Sequence, residues 1–519
     1  MTPVRIFVPQ DAAAASVGAD AVARALAHEA AARGLAFDIV RTGARGMMWL
    51  EPLVEVETHG GRIAYGPVGA GDVAGLVDAG FHAGGAHRLR LGAIEDLDWM
   101  KRQSRLVFAR CGVQHPLSLD DWRARGGLAG LKRALEMGPE AIVDAIQASG
   151  LRGRGGAGFP AGVKWATVRD AEADRKYVVC NADEGDSGTF ADRMLMEGDP
   201  FQIVEGMIVA GLAVGATKGF VYVRSEYPRA FRAMTQAIAR AQQAGLLGDD
   251  VLGSRRAFRI EVRLGAGAYI CGEEMALIES LEGKRGMVRA KPPLPAVSGL
   301  FGRPTLVHNV LTLAAVPFIL AHGADAYAAY GVGRSRGTMP IQLAGNVKRG
   351  GLIEAGFGLS LREIVEDFGG GTLSGRPVRA VQLGGPLGAY LPETALDVKF
   401  DYESLSAVGG MLGHGGIVVF DDSVDMARQA RFAFAFCARE SCGKCTPCRI
   451  GAVRGLETMD RIIAGENVEA NIALVRDLGA LMSEASLCAM GGLTPAPVLS
   501  ALRHFGVDFR ARRTREAGS

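Results

Sequence analysis

Apolar positions along this chain change rhythm from one stretch to the next, and the changes predict its organisation. Residues 1–85 open on the strand-like VRIFV, pass through the alanine-rich helical run VARALAHEAAARG, and return through FDIVRTG, LVEVETHGG and RIAYG to a short helix. That order predicts a small α/β domain. Residues 86–130, opening near the Gly-, His- and Arg-rich GAHRLRLG, read as a linker. From 131 to 334, strand-like YVVCNAD, GFVYVR and FRIEVRLG alternate with helical PFQIVEGMIVAGLAVGA, PRAFRAMTQAIARAQQAG and EEMALIESLEG. Such alternation predicts a largely parallel sheet covered by helices. Residues 335–422 hold several strands (IQLAGNV, RAVQLGG, GIVVFD) and one helix, LSLREIVEDFGG, which predicts a compact β-rich domain. From 423 to 519 the apolar spacing is helical, and the tail RHFGVDFRARRTREAGS reads as a solvated or partner-docking end.

Composition narrows the class. A chain of 519 residues is too long for one core, and roughly three or four domains are expected. A net charge of +2 gives no global pull toward nucleic acid or an anionic membrane. The opening MTPVRIFVPQ reads as a strand rather than a targeting segment, and no apolar run is long enough to span a bilayer, so a cytoplasmic location without membrane insertion is expected.

Four of the eight cysteines fall between 437 and 448, which points to metal or redox chemistry rather than a disulfide framework. In ESCGKCTPC, Cys442, Cys445 and Cys448 stand three residues apart and can converge on one centre, leaving a position for a fourth ligand. Cys488, in SEASLCAMGG, is the natural candidate. A tight C-x-x-C-x-x-C run with one remote cysteine suits a 4Fe-4S cluster, whereas zinc favours two separated pairs; zinc and free thiols remain the alternatives. Thr446-Pro447 can open the following helix, and Cys437, in an apolar helical stretch, reads as a buried small hydrophobe.

Two glycine loops suggest a phosphate-bearing cofactor. GLRGRGGAGFPAGVKW carries G-x-G-x-x-G at Gly153, Gly155 and Gly158, but a helical segment rather than a strand precedes it, which argues against a standard dinucleotide turn. Gly156 adds a further bare backbone position, and Arg152, Arg154 and Lys164 add positive charge; the alternative is a flexible linker. The second loop, FRIEVRLGAGAYICGEE, runs from a strand through Gly265, Gly267 and Gly272 into a helix near Glu273. In NADEGDSGTFADR, Asn181, Asp183, Glu184 and Asp186 could hold a divalent cation, or supply acceptors to a flavin or ribose at a strand's carboxyl end.

Taken together, GRGGAGFPAGVKW, NADEGDSGTF, GAGAYICGEE, KPPLPAVSGLFGRPT, VHNV and ESCGKCTPCRIG resemble the flavin-bearing, NADH-oxidising subunit of respiratory complex I and its relatives in NAD-linked hydrogenases and formate dehydrogenases. The resemblance covers roughly residues 130–500. It implies a multidomain α/β fold: a Rossmann-like FMN domain, a ubiquitin-like β-grasp domain, and a C-terminal helical bundle carrying a 4Fe-4S cluster. It also implies that Gly153, Arg154, Gly155, Gly156, Lys164, Asn181, Asp183, Glu184, Gly272, Glu273, His308 and Asn309 line FMN. Phe159, Glu274 and Lys291 would face NAD(H), with Glu274 and Asp186 orienting the nicotinamide-ribose half. Asp186 stands where the family has Glu, and Thr167 and Leu294 where it has Phe, which implies a thinner aromatic cradle for adenine.

Residues 1–85 resemble a thioredoxin-like ferredoxin domain, but no cysteine precedes Cys111, so a structural domain without a cluster is expected. This cysteine-free fusion, the total length and the stretch WLEPLVEV most resemble the β subunits of molybdenum-containing, NAD-dependent formate dehydrogenases; the hydrogenase counterparts tend to be longer. The implied partners are a catalytic α subunit with molybdenum and iron-sulfur centres and a small thioredoxin-like γ subunit with a 2Fe-2S cluster. Electrons would pass from the cysteine-bound cluster to FMN and leave as hydride to NAD⁺.

Overall fold

The computed structural model describes residues 3–510; residues 511–519, and with them most of the arginine-bearing tail, lie outside the described residues. The chain is a mixed α/β multidomain protein. Its first sheet places strand Phe37–Thr42 beside Val4–Pro9 in parallel, followed by Val54–Thr58, Gly61–Tyr65 and Arg90–Ala93 in antiparallel succession. Helix Ala19–Arg33 covers this sheet through Val22, Ala23, Leu26 and Ala30, and ends where Gly34 takes a left-handed conformation with φ 67°. A parallel pair with a helical crossover, then an antiparallel pair and a helix, is the thioredoxin-like arrangement expected.

The expected linker is ordered, and several of its apolar residues are buried in neighbouring cores. Arg90–Ala93 is the edge strand of the first sheet, so that sheet extends past residue 85. Farther on, Trp99 and Met100 enter the core of the β-rich third domain, while Val107, Phe108, Trp122 and Leu128 enter the core of the second. Glu354, fully buried on strand Gly351–Gly356, accepts the amides of Val107 and Phe108, each at 2.9 Å, and pins this segment in place. The apolar residues of 94–130 belong to two different cores, so they show no single periodicity and resemble a linker in sequence.

The second domain holds a fully parallel sheet in the order Arg259–Leu264, Lys218–Val223, Tyr177–Ala182, Thr305–Asn309. Val178, Val179 and Cys180 are all buried, as expected for a strand covered on both faces. Helix Pro200–Val214, buried along its entire length, and helix Val310–His322 pack together beneath it. The connections from Tyr177–Ala182 move toward one edge, and the last strand, Thr305–Asn309, returns to its other side. The strand order therefore reverses there, which opens a crevice at the carboxyl ends.

The third domain is a five-stranded mixed sheet in the order Gly351–Gly356, Thr338–Gly345, Gly416–Asp421, Val378–Leu383, Tyr390–Pro392, with a π-helical turn over Glu363–Phe368 against it. The last domain consists of helices Met426–Glu440, Thr446–Ile463, Val468–Ala485, Ala489–Leu493, Pro495–His504 and Gly506–Arg510. Its apolar faces join residues of the second domain, among them Ile270, Met275 and Leu277, in one continuous core. No helix among the described residues is long and apolar enough to cross a membrane.

Candidate functional site

The crevice is built around the register pair Asn181 and Asn309, which face each other at the carboxyl ends of adjacent strands. Asn309 caps helix Val310–His322 by accepting the Leu311 amide at 2.9 Å and donates its amide to Asp192 at 2.7 Å. The first glycine loop lies directly against it. A Cβ at Gly155 would stand 3.0 Å from the Asn309 Cβ, and Gly156, at φ 122°, pairs its backbone with Gly413 of the third domain. Bare backbone is therefore required where this loop approaches the crevice.

Two arginines expected to lend charge to this loop are committed elsewhere. Arg154 is 2% exposed, and its guanidinium donates to the Thr338 and Arg336 carbonyls and to the Tyr327 hydroxyl, tying the second domain to the third. Its amide donates to Thr312 Oγ1 at 2.8 Å, so neither its side chain nor its amide is free for a phosphate. Arg152 donates to the Gly158 carbonyl and pairs with Glu403 at 2.7 Å. The third cation, Lys164, sits 3.1 Å from Glu274 and donates to the Val307 carbonyl at 3.2 Å.

The second loop closes the opposite wall. Asn181 Nδ2 donates to the Gly272 carbonyl at 2.8 Å, and a Cβ at Gly272 would stand 3.3 Å from the Asp183 carbonyl oxygen. Asp183 has a buried Oδ2 without a partner, and burial pushes its carboxyl up to about 7. Glu273 caps helix Glu274–Leu281 by accepting the amides of Met275 and Ala276 at 2.9 Å. Lys291 bridges Glu273 and Glu274 at 2.8 and 2.9 Å. Burial alone would raise the Glu274 carboxyl, but Lys164 and Lys291 outweigh it and hold it below the usual range. Asp186 accepts from the Tyr269 hydroxyl at 2.8 Å and is raised by burial.

The remaining expected residues divide. Phe159 and Leu294 are both about half exposed and so accessible to a ligand, while Thr167 donates back to the Val163 carbonyl of its own helix. Gly153 closes the loop by donating its amide to the Phe159 carbonyl at 2.8 Å. His308 and Glu184 turn their side chains inward. The His308 Nε2 accepts from the Trp165 indole at 2.8 Å, and burial holds the ring well below its usual value, hence neutral. Glu184 accepts the amides of Asp192 and Arg193 at 3.1 and 3.0 Å. Sequence reasoning missed Asp192, Tyr269 and His414, all of which touch these residues: Asp192 and Tyr269 stand within the motifs NADEGDSGTFADR and GAGAYICGEE without being singled out there, and no motif links His414 to the loops.

All four predicted cysteines converge. Cys442, Cys445, Cys448 and Cys488 line one small cavity together with Ile270, Val288 and Met490. Cys445 stands at the amino-terminal cap position of helix Thr446–Ile463 and Cys448 in its first turn beside Pro447, while Cys488 precedes Ala489–Leu493, where burial pushes its thiol up to about 11. Cys437 is buried beneath, with its sulfur 3.7 Å from that of Cys448. Hydrogen bonding from Cys437 and Ser441 pulls the Cys448 thiol down to about 6. Four convergent thiols in an apolar wall fit a 4Fe-4S cluster. The bare backbone at Gly155 and the unpartnered Asp183 oxygen fit a flavin in the crevice.

Residues 146–318 match the Nuo51 FMN-binding domain, and residues 428–512 match the NADH-ubiquinone oxidoreductase-F iron-sulfur binding region. The chain is 47% identical over 411 residues to the NADP-reducing hydrogenase subunit HndC of Solidesulfovibrio fructosivorans, covering 79% of this chain and 84% of that protein. It is 46% identical to the F 2 subunit of the NADH-quinone oxidoreductase of Rhizobium meliloti, covering 76% of this chain and 94% of that one. The crystal structure of an NAD⁺-reducing [NiFe]-hydrogenase in the air-oxidized state is similar over 99% of this chain and 86% of that chain, with TM-score 0.70 and 29% identity. The protein is an NAD-linked flavin and iron-sulfur oxidoreductase subunit. It belongs to the complex I 51 kDa family, whose members bind FMN, NADH and a 4Fe-4S cluster.

Proposed function

We propose that this chain is the diaphorase subunit of a multisubunit, NAD-linked cytoplasmic enzyme, exchanging electrons between NAD(H) and a redox partner through FMN and the cysteine-held cluster. One observation carries the reading: the single turn Tyr269–Gly272 walls both sites. Ile270 faces the cysteine cavity, and Gly272 is held in the crevice by Asn181. Two residues of chain span at most about 7 Å, so the two sites are within electron-transfer reach.

When bound, FMN exchanges hydride with nicotinamide and single electrons with the cluster. The chain's part is to position. Backbone at Gly153, Gly155, Gly156 and Gly272 admits the flavin; Asn181, Asp183 and Asn309 supply polar groups along it. Phe159 offers a face to the dinucleotide. The ion-paired Lys164, Glu274 and Lys291, with Asp186, fix the nicotinamide-ribose end; in this reading Glu184 and His308 act from behind the crevice wall.

The hydrogenase and NADH-quinone oxidoreductase relatives support a hydrogenase or respiratory partner for the module. A second reading, formate oxidation on a molybdenum-bearing α subunit with a 2Fe-2S γ subunit, rests on the cysteine-free amino-terminal domain and WLEPLVEV. Purifying the native assembly through this chain, and assaying iron, flavin, nickel and molybdenum with hydrogen- and formate-dependent NAD⁺ reduction, separates the two. Nickel with hydrogen activity supports the first and molybdenum with formate activity the second. Absence of both flavin and iron contradicts the diaphorase reading itself.

A further inference from the structure

His414 belongs to the third domain, just before strand Gly416–Asp421, yet its ring is buried among residues of the second. Its Nδ1 lies 2.7 Å from the Arg154 carbonyl oxygen. Its Nε2 lies 3.2 Å from Glu184 Oε1 and 3.3 Å from Asp192 Oδ1. A carbonyl oxygen only accepts, so Nδ1 carries a hydrogen. Nε2 faces two carboxylates, whose lone pairs a bare ring nitrogen would repel. A ring protonated on both nitrogens turns a hydrogen toward each of these acceptors, and its positive charge is what the buried Nε2 offers Asp192 Oδ1, which has no other partner.

Each of these contacts reaches a different wall of the crevice. Arg154 belongs to the first glycine loop. Glu184 belongs to the acidic loop, where Tyr227 donates to it at 3.2 Å and Arg224 donates to its backbone carbonyl. Asp192 accepts from Asn309 at 2.7 Å, and Asn309 in turn is the surface on which Gly155 rests. We propose that His414 is a positively charged positioning residue of the flavin crevice, which locks the glycine loop, the acidic loop and Asn309 together across the domain boundary and offsets two buried carboxylates behind the flavin. Glutamine in its place keeps hydrogen-bond donors but leaves two uncompensated negative charges. These open the walls and disfavour electron addition to the flavin.

The test compares the full-length holoprotein with H414Q and with H414Q/D192N, which restores the charge sum while keeping an oxygen for Asn309. FMN dissociation constant, flavin midpoint potential and thermal midpoint are read for each. The expected result is that H414Q binds FMN at least tenfold more weakly and shifts the flavin potential to more negative values, and that the double variant recovers most of both. Unchanged affinity and potential in H414Q overturn the proposal. So does a double variant that recovers neither, including one that rescues no folding, because charge is then not what the ring supplies. A stoichiometric divalent metal that wild type holds beyond its cluster, and H414Q lacks, also overturns it, since the three side chains would then be ligands. The wild-type FMN content, measured alongside, separates failure of this proposal from failure of the flavin assignment on which it rests.

Discussion

Ile270 and Gly272 stand two residues apart on one turn and face different cavities, Ile270 the four cysteines and Gly272 the flavin crevice. Little chain separates the two redox sites, and that chain is stiff: Ile270 is packed in the core shared by the second and last domains, while Gly272 is tied to Asn181.

The cysteines should divide by role. If the four cysteines of the cavity hold the cluster as proposed, Cys448→Ala or Cys488→Ala should lose or transform both the iron content and the electron paramagnetic resonance signal of the reduced cluster. Cys437→Ala, despite a sulfur 3.7 Å from Cys448, should keep both and cost only about 1–2 kcal/mol of stability as a small buried truncation.

Glu274 lies between Lys164 and Lys291, so Glu274→Gln removes the carboxylate that pairs with Lys164 and leaves Lys291 to Glu273 alone. Steady-state NADH oxidation with an artificial acceptor should show kcat/KM reduced by about tenfold or more, equivalent to about 1.4 kcal/mol. Unchanged kinetics would remove Glu274 from dinucleotide positioning.

Gly155→Val would press a branched side chain against Asn309, where even a Cβ stands at 3.0 Å. Overpacking of this kind costs about 1–3 kcal/mol. FMN content after purification should fall while iron content stays at the wild-type level, because the cysteine cavity is walled by other residues.

Glu205, buried in helix Pro200–Val214, accepts the Leu131 amide at 2.8 Å, and burial raises its carboxyl to about 7 from the ordinary 4.5. An acid whose folded value lies above its unfolded one stabilises fully below the unfolded value and loses that contribution as pH rises through the folded one. Wild type should therefore lose stability between about pH 4.5 and 7 from this group. Glu205→Gln should match wild type near pH 4.5 and exceed it above pH 7 by up to about 3 kcal/mol. Thermal midpoints at the two pH values check this.

The legible parts of the sequence were those carried by local spacing. Cys442, Cys445 and Cys448 are brought to one cavity by their own loop, and the helices after residue 423 follow from apolar periodicity. Residues 94–130 were not legible, because Trp99 and Phe108 serve different cores. Arg154 stands in a glycine loop like a phosphate ligand, yet Tyr327 and the Arg336 carbonyl, both distant in sequence, claim its guanidinium. His414 was invisible for the same reason: its partnership with Asp192, itself inside the acidic motif NADEGDSGTFADR, crosses a domain boundary and leaves no pattern around His414.

The most direct test of the coupling between crevice and cysteines is anaerobic addition of NADH to the holoprotein, followed by flavin absorbance and low-temperature electron paramagnetic resonance on the same sample. Wild type should bleach its flavin and develop the reduced-cluster signal, and Cys488→Ala should bleach the flavin without that signal. A flavin that NADH does not bleach, or a cluster that stays oxidised while the flavin is fully reduced and the potential is low enough to reduce it, would contradict the account.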